Sequence, residues 1–208
     1  MKLNKPKIFI SENKKISEAF VEKEFLNYRF CENEVGKLVI SNVIIDSCIF
    51  EKIDFNNIKF DEVELIDIIF DGCDLSNKTF HNKMLSRVLF KNCKMLGCSF
   101  IDASLRDIEF QDCNLNYLNC SNTKFTNIIF QNCDLKEASF LELQIKNLEL
   151  EKVNFEKTEF IRTKLQGIDF SRCNISNIIF DLYSIKGIIV DKFQCFNLVG
   201  MLGVEIKD

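Results

Sequence analysis

From Phe20 to Val190 every fifth residue is apolar, in unbroken register. From Leu38 to Ile188 the residue two before each of these centres is also apolar or small: Cys, Ile, Val, Leu, Ala and Thr recur, Tyr183 appears once, and only Lys78 and Lys83 break the rule. Two inward residues separated by one outward residue mark a short extended segment. The other two residues of each pentad are commonly Asn, Asp, Lys, Ser or Gly, and these turn corners. A helix cannot carry such a pattern, because a period of five drifts around a 3.6-residue wheel and scatters the apolar side chains over every face.

A longer period sets the number of sides. Cys73, Cys93, Cys113, Cys133 and Cys173 recur at intervals of twenty, with Val153 filling the one gap. Four pentads therefore make a circuit, and residue n stacks on residue n+20. At ~4.8 Å per coil the repeat gives a rod of roughly 40 Å. Alternate sides differ: Phe50, Phe70, Phe90, Phe110 and Phe130 form one column, while Leu75, Leu115 and Leu135 represent an intervening one. The chain thus divides into an N-terminal cap (1–19), a solenoid (20–190) and a C-terminal segment (191–208).

Solenoids need caps at both ends. Glu18, Lys23 and Asn33 occupy inward-type positions, so the first coils are expected to be irregular. At the other end Asp191 and Gln194 have capping-box spacing, predicting a capping helix over 192–202. Cys195, Leu198, Val199 and Leu202 form one apolar stripe on it. Phe193, Phe196 and Met201 lie off that stripe, leaving a second apolar face that asks for a partner. Val204 and Ile206 then alternate like a short strand.

Composition narrows the chemistry. Tryptophan is absent, proline occurs once (Pro6), and a net charge of −4 gives no basic excess for phosphate backbones. No apolar run approaches the roughly 20 residues that span a bilayer, and the polar start argues against a secretory signal, so a cytoplasmic protein with no membrane partner is expected. The ten cysteines read as reduced filler of small inward slots. Thiols in a line at ~4.8 Å offer zinc no tetrahedral convergence, and disulfides need Cβ atoms nearer ~3.8 Å. The only histidine, His81, falls on a corner, glycine-rich phosphate loops are absent, and corner carboxylates are solvated. No enzyme, metal or cofactor is expected. Lys78 and Lys83 either run along the wall to water or mark a bulge that meets a partner.

The segments Gly72-Cys73-Asp74-Leu75-Ser76 and Asn132-Cys133-Asp134-Leu135 resemble the cysteine-bearing form of the pentapeptide-repeat consensus, Ala-Asp/Asn-Leu-X-X. That resemblance implies an all-β fold, the right-handed quadrilateral β-helix. The stretches Ile185–Gln194 and Leu202–Ile206 resemble the C-terminal segment of the Qnr and MfpA branch. This implies a twofold dimer through Phe193, Phe196, Val199, Met201, Leu202, Val204 and Ile206. It also implies binding to DNA gyrase or topoisomerase IV, with the rod lying where duplex DNA would lie and protecting the enzyme from quinolones. Duplex DNA carries about 24 charges over ~40 Å. One side of this rod bears a basic stripe (Arg87, Arg106, Lys124, Lys146, Lys164, Lys186) and only the other three are net acidic, so mimicry of DNA over the whole surface is weak. An acidic side with Asp61, Glu62, Asp102, Glu142 and Asp181 is the candidate contact. The alternative is an interaction rod for another partner, met by the basic stripe or by Lys78 and Lys83.

Overall fold

The computed structural model describes residues 2–31, 36–201 and 203–204. Expectations for Asn33, Val35, Leu202 and Ile206 lie outside the described residues. In chain order the elements are β1 (Glu12–Asn13), α1 (Ile16–Glu22), β2 (Phe25–Leu26), β3 (Tyr28–Phe30), β4 (Leu38–Glu51), β5 (Ile58–Asp71), β6 (Met84–Lys91) and β7 (Ser104–Gln111), followed by β8 (Lys124–Gln131), β9 (Ser139–Leu141), β10 (Gln144–Glu151), β11 (Glu159–Ile161), β12 (Ile179–Phe180) and α2 (Gln194–Gly200).

Strands pair in parallel at a separation of twenty. Across the long sheet Leu65 pairs with Leu85, Leu85 with Leu105 and Leu105 with Phe125, and β10 continues the register on β8. On another side β9, β11 and β12 repeat it, with Phe140, Phe160 and Phe180 aligned. Isolated bridges such as Asp74 to Lys94, Lys94 to Asn114 and Asn114 to Asp134 carry the same step between the two sheets. The result is a four-sided parallel solenoid of twenty-residue coils.

Corner chemistry explains how twenty residues close a square. The residue two after most centres has a left-handed backbone, including Asn77, Asn82, Asn92, Asp102, Asp112, Asn122 and Asn132. That region costs most L-residues roughly 1–2 kcal/mol, and least for Gly, Asn and Asp. At Gly97 (φ +66°) a Cβ would also come within 2.8 Å of Asn77 Oδ1, so both backbone and space call for glycine there.

The core is a set of columns. Phe30, Phe50, Phe70, Phe90, Phe110 and Phe130 stack face to face, with successive centroids 4.9, 5.1, 5.1, 5.0 and 4.8 Å apart. Phe80 on Phe100 (4.9 Å) and Phe140 on Phe160 (4.7 Å) belong to the column on the opposite side. Leu75, Leu115 and Leu135 are fully buried between them.

The cysteine slots do more than fill space. The Sγ of Cys73, Cys93, Cys113 and Cys133 each donates to the carbonyl oxygen of Phe50, Phe70, Phe90 and Phe110 respectively, at 3.3–3.4 Å. Thr123 and Thr163 make the same bond from their hydroxyls, to Phe100 O and Phe140 O. A small side chain with one donor therefore satisfies this slot, which explains why Cys and Thr share it. Burial raises the thiols of Cys48 and Cys173 to about 11 and that of Cys98 to about 12. All ten cysteines are free and only Cys31 and Cys195 are exposed. Ellman titration of the native protein is expected to give two fast-reacting thiols, with the other eight appearing on unfolding; fast reaction of Cys113 would contradict the packing.

Both ends are covered. At the N-terminus Ile16 and Ala19 of α1 are fully buried, as an irregular first coil requires. Residues 2–10 do something the sequence does not announce: they run outside the wall along the rod axis. Lys7 N donates to Asp67 Oδ1 (2.8 Å), Ser47 Oγ donates to Lys7 O (3.1 Å), Asn4 Nδ2 donates to Asp107 Oδ2 (3.0 Å), and Lys5 pairs with Glu109. This arm buries Asp67, Asp107 and Glu109, three carboxylates on outward positions.

At the C-terminus Asp191 Oδ1 accepts from the N–H groups of Phe193 and Gln194, and Gln194 Oε1 accepts from Asp191 N (2.9 Å), completing the capping box. The helix itself is shorter than the expected 192–202. Gln194 and Leu198 face the core, and Cys195 is exposed rather than part of the inward stripe. The Gln194 amide donates to Phe170 O and Cys173 O, so a polar plug seals the last coil. One coil lower the register slips: Ser184 is buried and its hydroxyl accepts from Thr163 N (2.9 Å), while Tyr183, an inward residue by the fifth-residue rule, is 55% exposed. No helix among the described residues is long and apolar enough to cross a membrane.

Candidate interaction surfaces

The five acidic candidates share one corner edge. Glu62, Asp102 and Glu142 occupy its left-handed position on alternate coils, with Asp61 and Asp181 one residue earlier in their turns. Their states differ. Arg162 Nη2 lies 2.8 Å from Glu142 Oε1 and neutralises it. Asp181 accepts from Ser184 N (2.7 Å) and Arg162 N (3.0 Å); burial opposes ionisation, but these hydrogen bonds hold its carboxyl below the usual range, as a turn cap. Asp61, Glu62 and Asp102 are exposed and, among the described residues, unpaired. Of the five candidates, these three are the ones left without a partner among the described residues.

The basic stripe is also uneven. Arg87 grips Asp67 through Nε and Nη2, both at 2.6 Å, and so belongs to the wall beneath the arm. Arg106, Lys124, Lys146, Lys164 and Lys186 form no ion pair with the described residues.

Lys78 and Lys83 separate in role. Between Asn57–Phe60 and the coil above, the backbone ladder is broken, and Lys78 Nζ reaches back to donate to Asn56 O (3.1 Å) and Ile58 O (3.0 Å). Burial lowers its pKa. The ammonium thus closes an opening in the wall that a shorter side chain would leave unsatisfied. Lys83 is half-buried, and its backbone carbonyl keeps the ladder to Ser104 N (2.9 Å).

His81 Nε2 lies 2.7 Å from Ser99 Oγ, a contact between successive coils that its corner position did not suggest. The pair is exposed, and among the described residues no carboxylate holds the other ring nitrogen, the group that orients the imidazole of a catalytic triad.

At the C-terminal end Phe193 (69% exposed), Phe196, Met201 and Val204 are exposed, Val199 is half-buried, and the nearby Leu182 is 70% exposed. Large apolar side chains gathered at one end of a rod are a surface that invites a partner.

The family model for the pentapeptide repeat region matches residues 43–120, 67–140, 83–160 and 123–194. No curated protein matches the chain in sequence. Among solved structures, full-length QnrB1, a plasmid-mediated fluoroquinolone resistance protein, is 20% identical with a TM-score of 0.48, covering 95% of this chain and 97% of its own. HetL, a pentapeptide repeat protein involved in heterocyst differentiation regulation from the cyanobacterium Nostoc sp. strain PCC 7120, is 13% identical, covers 85% of this chain and 96% of its own, and has a TM-score of 0.32. A pentapeptide repeat protein of the Arabidopsis thaliana thylakoid lumen is 25% identical, covers 48% of this chain and 66% of its own, and has a TM-score of 0.34.

Proposed function

The chain belongs to the pentapeptide repeat family, whose fold is the right-handed quadrilateral β-helix, and on that premise we propose that it is a non-enzymatic, cytoplasmic binding rod that pairs with a second copy through its C-terminal end and engages a type II topoisomerase. The observation that carries the binding role is the corner bearing Asp61, Glu62 and Asp102, exposed and unneutralised on a rigid stack. Fixed charges on a scaffold that does not reorganise favour one partner geometry and steer its approach. The exposed Phe193, Phe196, Met201 and Val204 support self-association, because burying them removes a large apolar patch from water.

The test is a gyrase supercoiling assay with and without ciprofloxacin. Inhibition, or protection from the drug, is expected at about micromolar protein, and it should weaken in the double variant Glu62→Lys, Asp102→Lys. Neither effect at that concentration overturns the topoisomerase reading. Sedimentation of Phe196→Asp tests the dimer separately, with a shift to monomer expected.

A second reading, an interaction rod for a different and more acidic partner, is favoured by the unpaired line Arg106, Lys124, Lys146, Lys164 and Lys186. Charge reversal there, with the acidic corner intact, would then be the variant that abolishes binding.

A further inference from the structure

A second opening in the wall, unlike the one at Lys78, is bridged by no side-chain hydrogen bond among the described residues. Elsewhere on these sides the N–H of residue n donates to the carbonyl of residue n+19, as Asn122 does to Leu141 (2.8 Å) and Asn132 to Glu151 (2.9 Å). Between the coil that carries β10 and the coil at 164–172 this ladder stops. Among the described residues the N–H groups of Ile145, Asn147, Leu150 and Lys152 and the carbonyl of Leu148 have no hydrogen-bond partner. The gap is pinned at both ends, by Leu143 N donating to Thr163 Oγ1 (3.1 Å) and by the Arg172–Glu151 ion pair (2.7 Å).

The side chains record the same gap. Ile145, Leu148 and Leu150 are only half-buried, although Phe125, Ile128 and Phe130, one coil below, are buried. Ile145 and Leu148, with Ile168 and Gln166, line a cleft of about 520 Å³, and Leu150 lines the hollow beside it. An open sheet edge with unpaired N–H and C=O groups is a template for another strand.

We propose that this lip of β10 accepts an extended segment of a partner protein as an added parallel strand. The backbone of the lip offers donors and an acceptor along an open strand edge, which selects an extended chain over a helix. Ile145, Leu148 and Leu150 select apolar side chains on the inward face of the guest. The charges around the mouth set its polar face: Lys164 and Lys186 flank one end and Asp169 the other, so the guest carries acidic residues at the lysine end and a basic residue at the opposite one. This surface is distinct from both the acidic corner and the apolar C-terminal end.

Residue-resolved amide hydrogen exchange on the full chain tests the proposal. The probe is an acetylated, amidated peptide copying Ser104–Gln111, a strand this sheet already accepts at the twenty-residue step, with Arg106→Glu and Glu109→Lys so that its charges match the two ends of the mouth. In the free protein the amides of Ile145, Asn147 and Leu150 are expected to exchange at least ~100-fold faster than those of Phe125, Asn127 and Phe130. Peptide at about 1 mM is expected to slow those amides by at least ~10-fold, and Leu148→Glu to abolish the slowing while the β8 amides stay protected. Lip amides as slow as those of β8 in the unsubstituted protein mean a closed wall and overturn the proposal. Fast amides that the peptide does not slow overturn the docking role. Slowing that depends on protein concentration without peptide assigns the edge to a second copy and overturns the partner reading.

Discussion

Phe110→Ala is expected to lower stability by about 3–5 kcal/mol, the range for truncating a buried aromatic side chain. The ring is 1% exposed and lies between Phe90 (5.0 Å) and Phe130 (4.8 Å), with Phe100 edge-on at 6.5 Å. A solenoid coil has only its two neighbours to lean on, so the cavity opens on both at once and cannot be filled from the sides. Urea unfolding followed by circular dichroism measures the loss. Phe9→Ala is the control: Phe9 is 70% exposed on the arm, and its loss is expected to stay within about 0.5 kcal/mol. A loss below about 1 kcal/mol at Phe110 would mean that the stacked column is not what holds the rod together.

Asp67→Ala is expected to have the next largest effect. Asp67 is 5% exposed, accepts both Nε and Nη2 of Arg87, and takes Lys7 N from the arm. Removing it leaves a guanidinium and a backbone N–H unpaired. Truncating one partner of a buried pair costs about 3–5 kcal/mol, and the partial exposure of Arg87 reduces the expectation to about 2–3 kcal/mol. The pH dependence follows from the sign of the shift. Burial works against the Asp67 carboxylate, but the Arg87 guanidinium and the Lys7 N–H outweigh it and hold its pKa below the usual carboxylate value. Its contribution is therefore complete above the unfolded-state pKa of about 3.9 and is lost as the pH falls through the lower folded-state value. The stability gap between wild type and Asp67→Asn should accordingly be constant near neutrality and shrink below about pH 4. A gap that persists undiminished at lower pH would show that the carboxylate charge is not its source.

The fifth-residue rule made the inward positions legible because burial in a solenoid is decided by direction alone. Within the coils a side chain at a centre points toward the axis, so Phe90 and Leu115 could be placed from the sequence, whereas Phe20, the first centre of the repeat, lies on α1 and is exposed because the helix of the cap replaces the coil there. The twenty-residue cysteine ladder was legible for the same reason, since only a small side chain fits the slot, and a thiol there also donates to the carbonyl 23 residues earlier while Val153 fills it without a donor. The arm was not legible. Its anchors lie 60 residues away for Lys7 and 103 for Asn4, and its partners are outward carboxylates that look like ordinary surface.

The two openings were invisible for another reason. Periodicity reports where side chains point, not whether adjacent coils keep their backbone bonds. Lys78 hinted at the first opening because a charged residue at an inward position must find acceptors. Nothing at Ile145 or Leu148 hinted at the second, since both obey the rule and are nevertheless half-exposed. The slip that turns Ser184 inward and Tyr183 outward belongs to the same class: Thr163 N needs an acceptor, and the serine hydroxyl supplies it where a tyrosine ring does not fit.

Everything functional depends on the twenty-residue step, because it decides which corner carboxylates share an edge and which strand edge is left open. Nuclear Overhauser contacts in a uniformly labelled sample measure it directly. The rings of Phe90, Phe110 and Phe130 are expected to contact one another in sequence, with Ile108 on Ile128 and Leu118 on Ala138 repeating the separation of twenty on other sides. A dominant separation of fifteen or twenty-five would mean three or five sides and would contradict the square coil, the acidic corner and the open lip of β10 together.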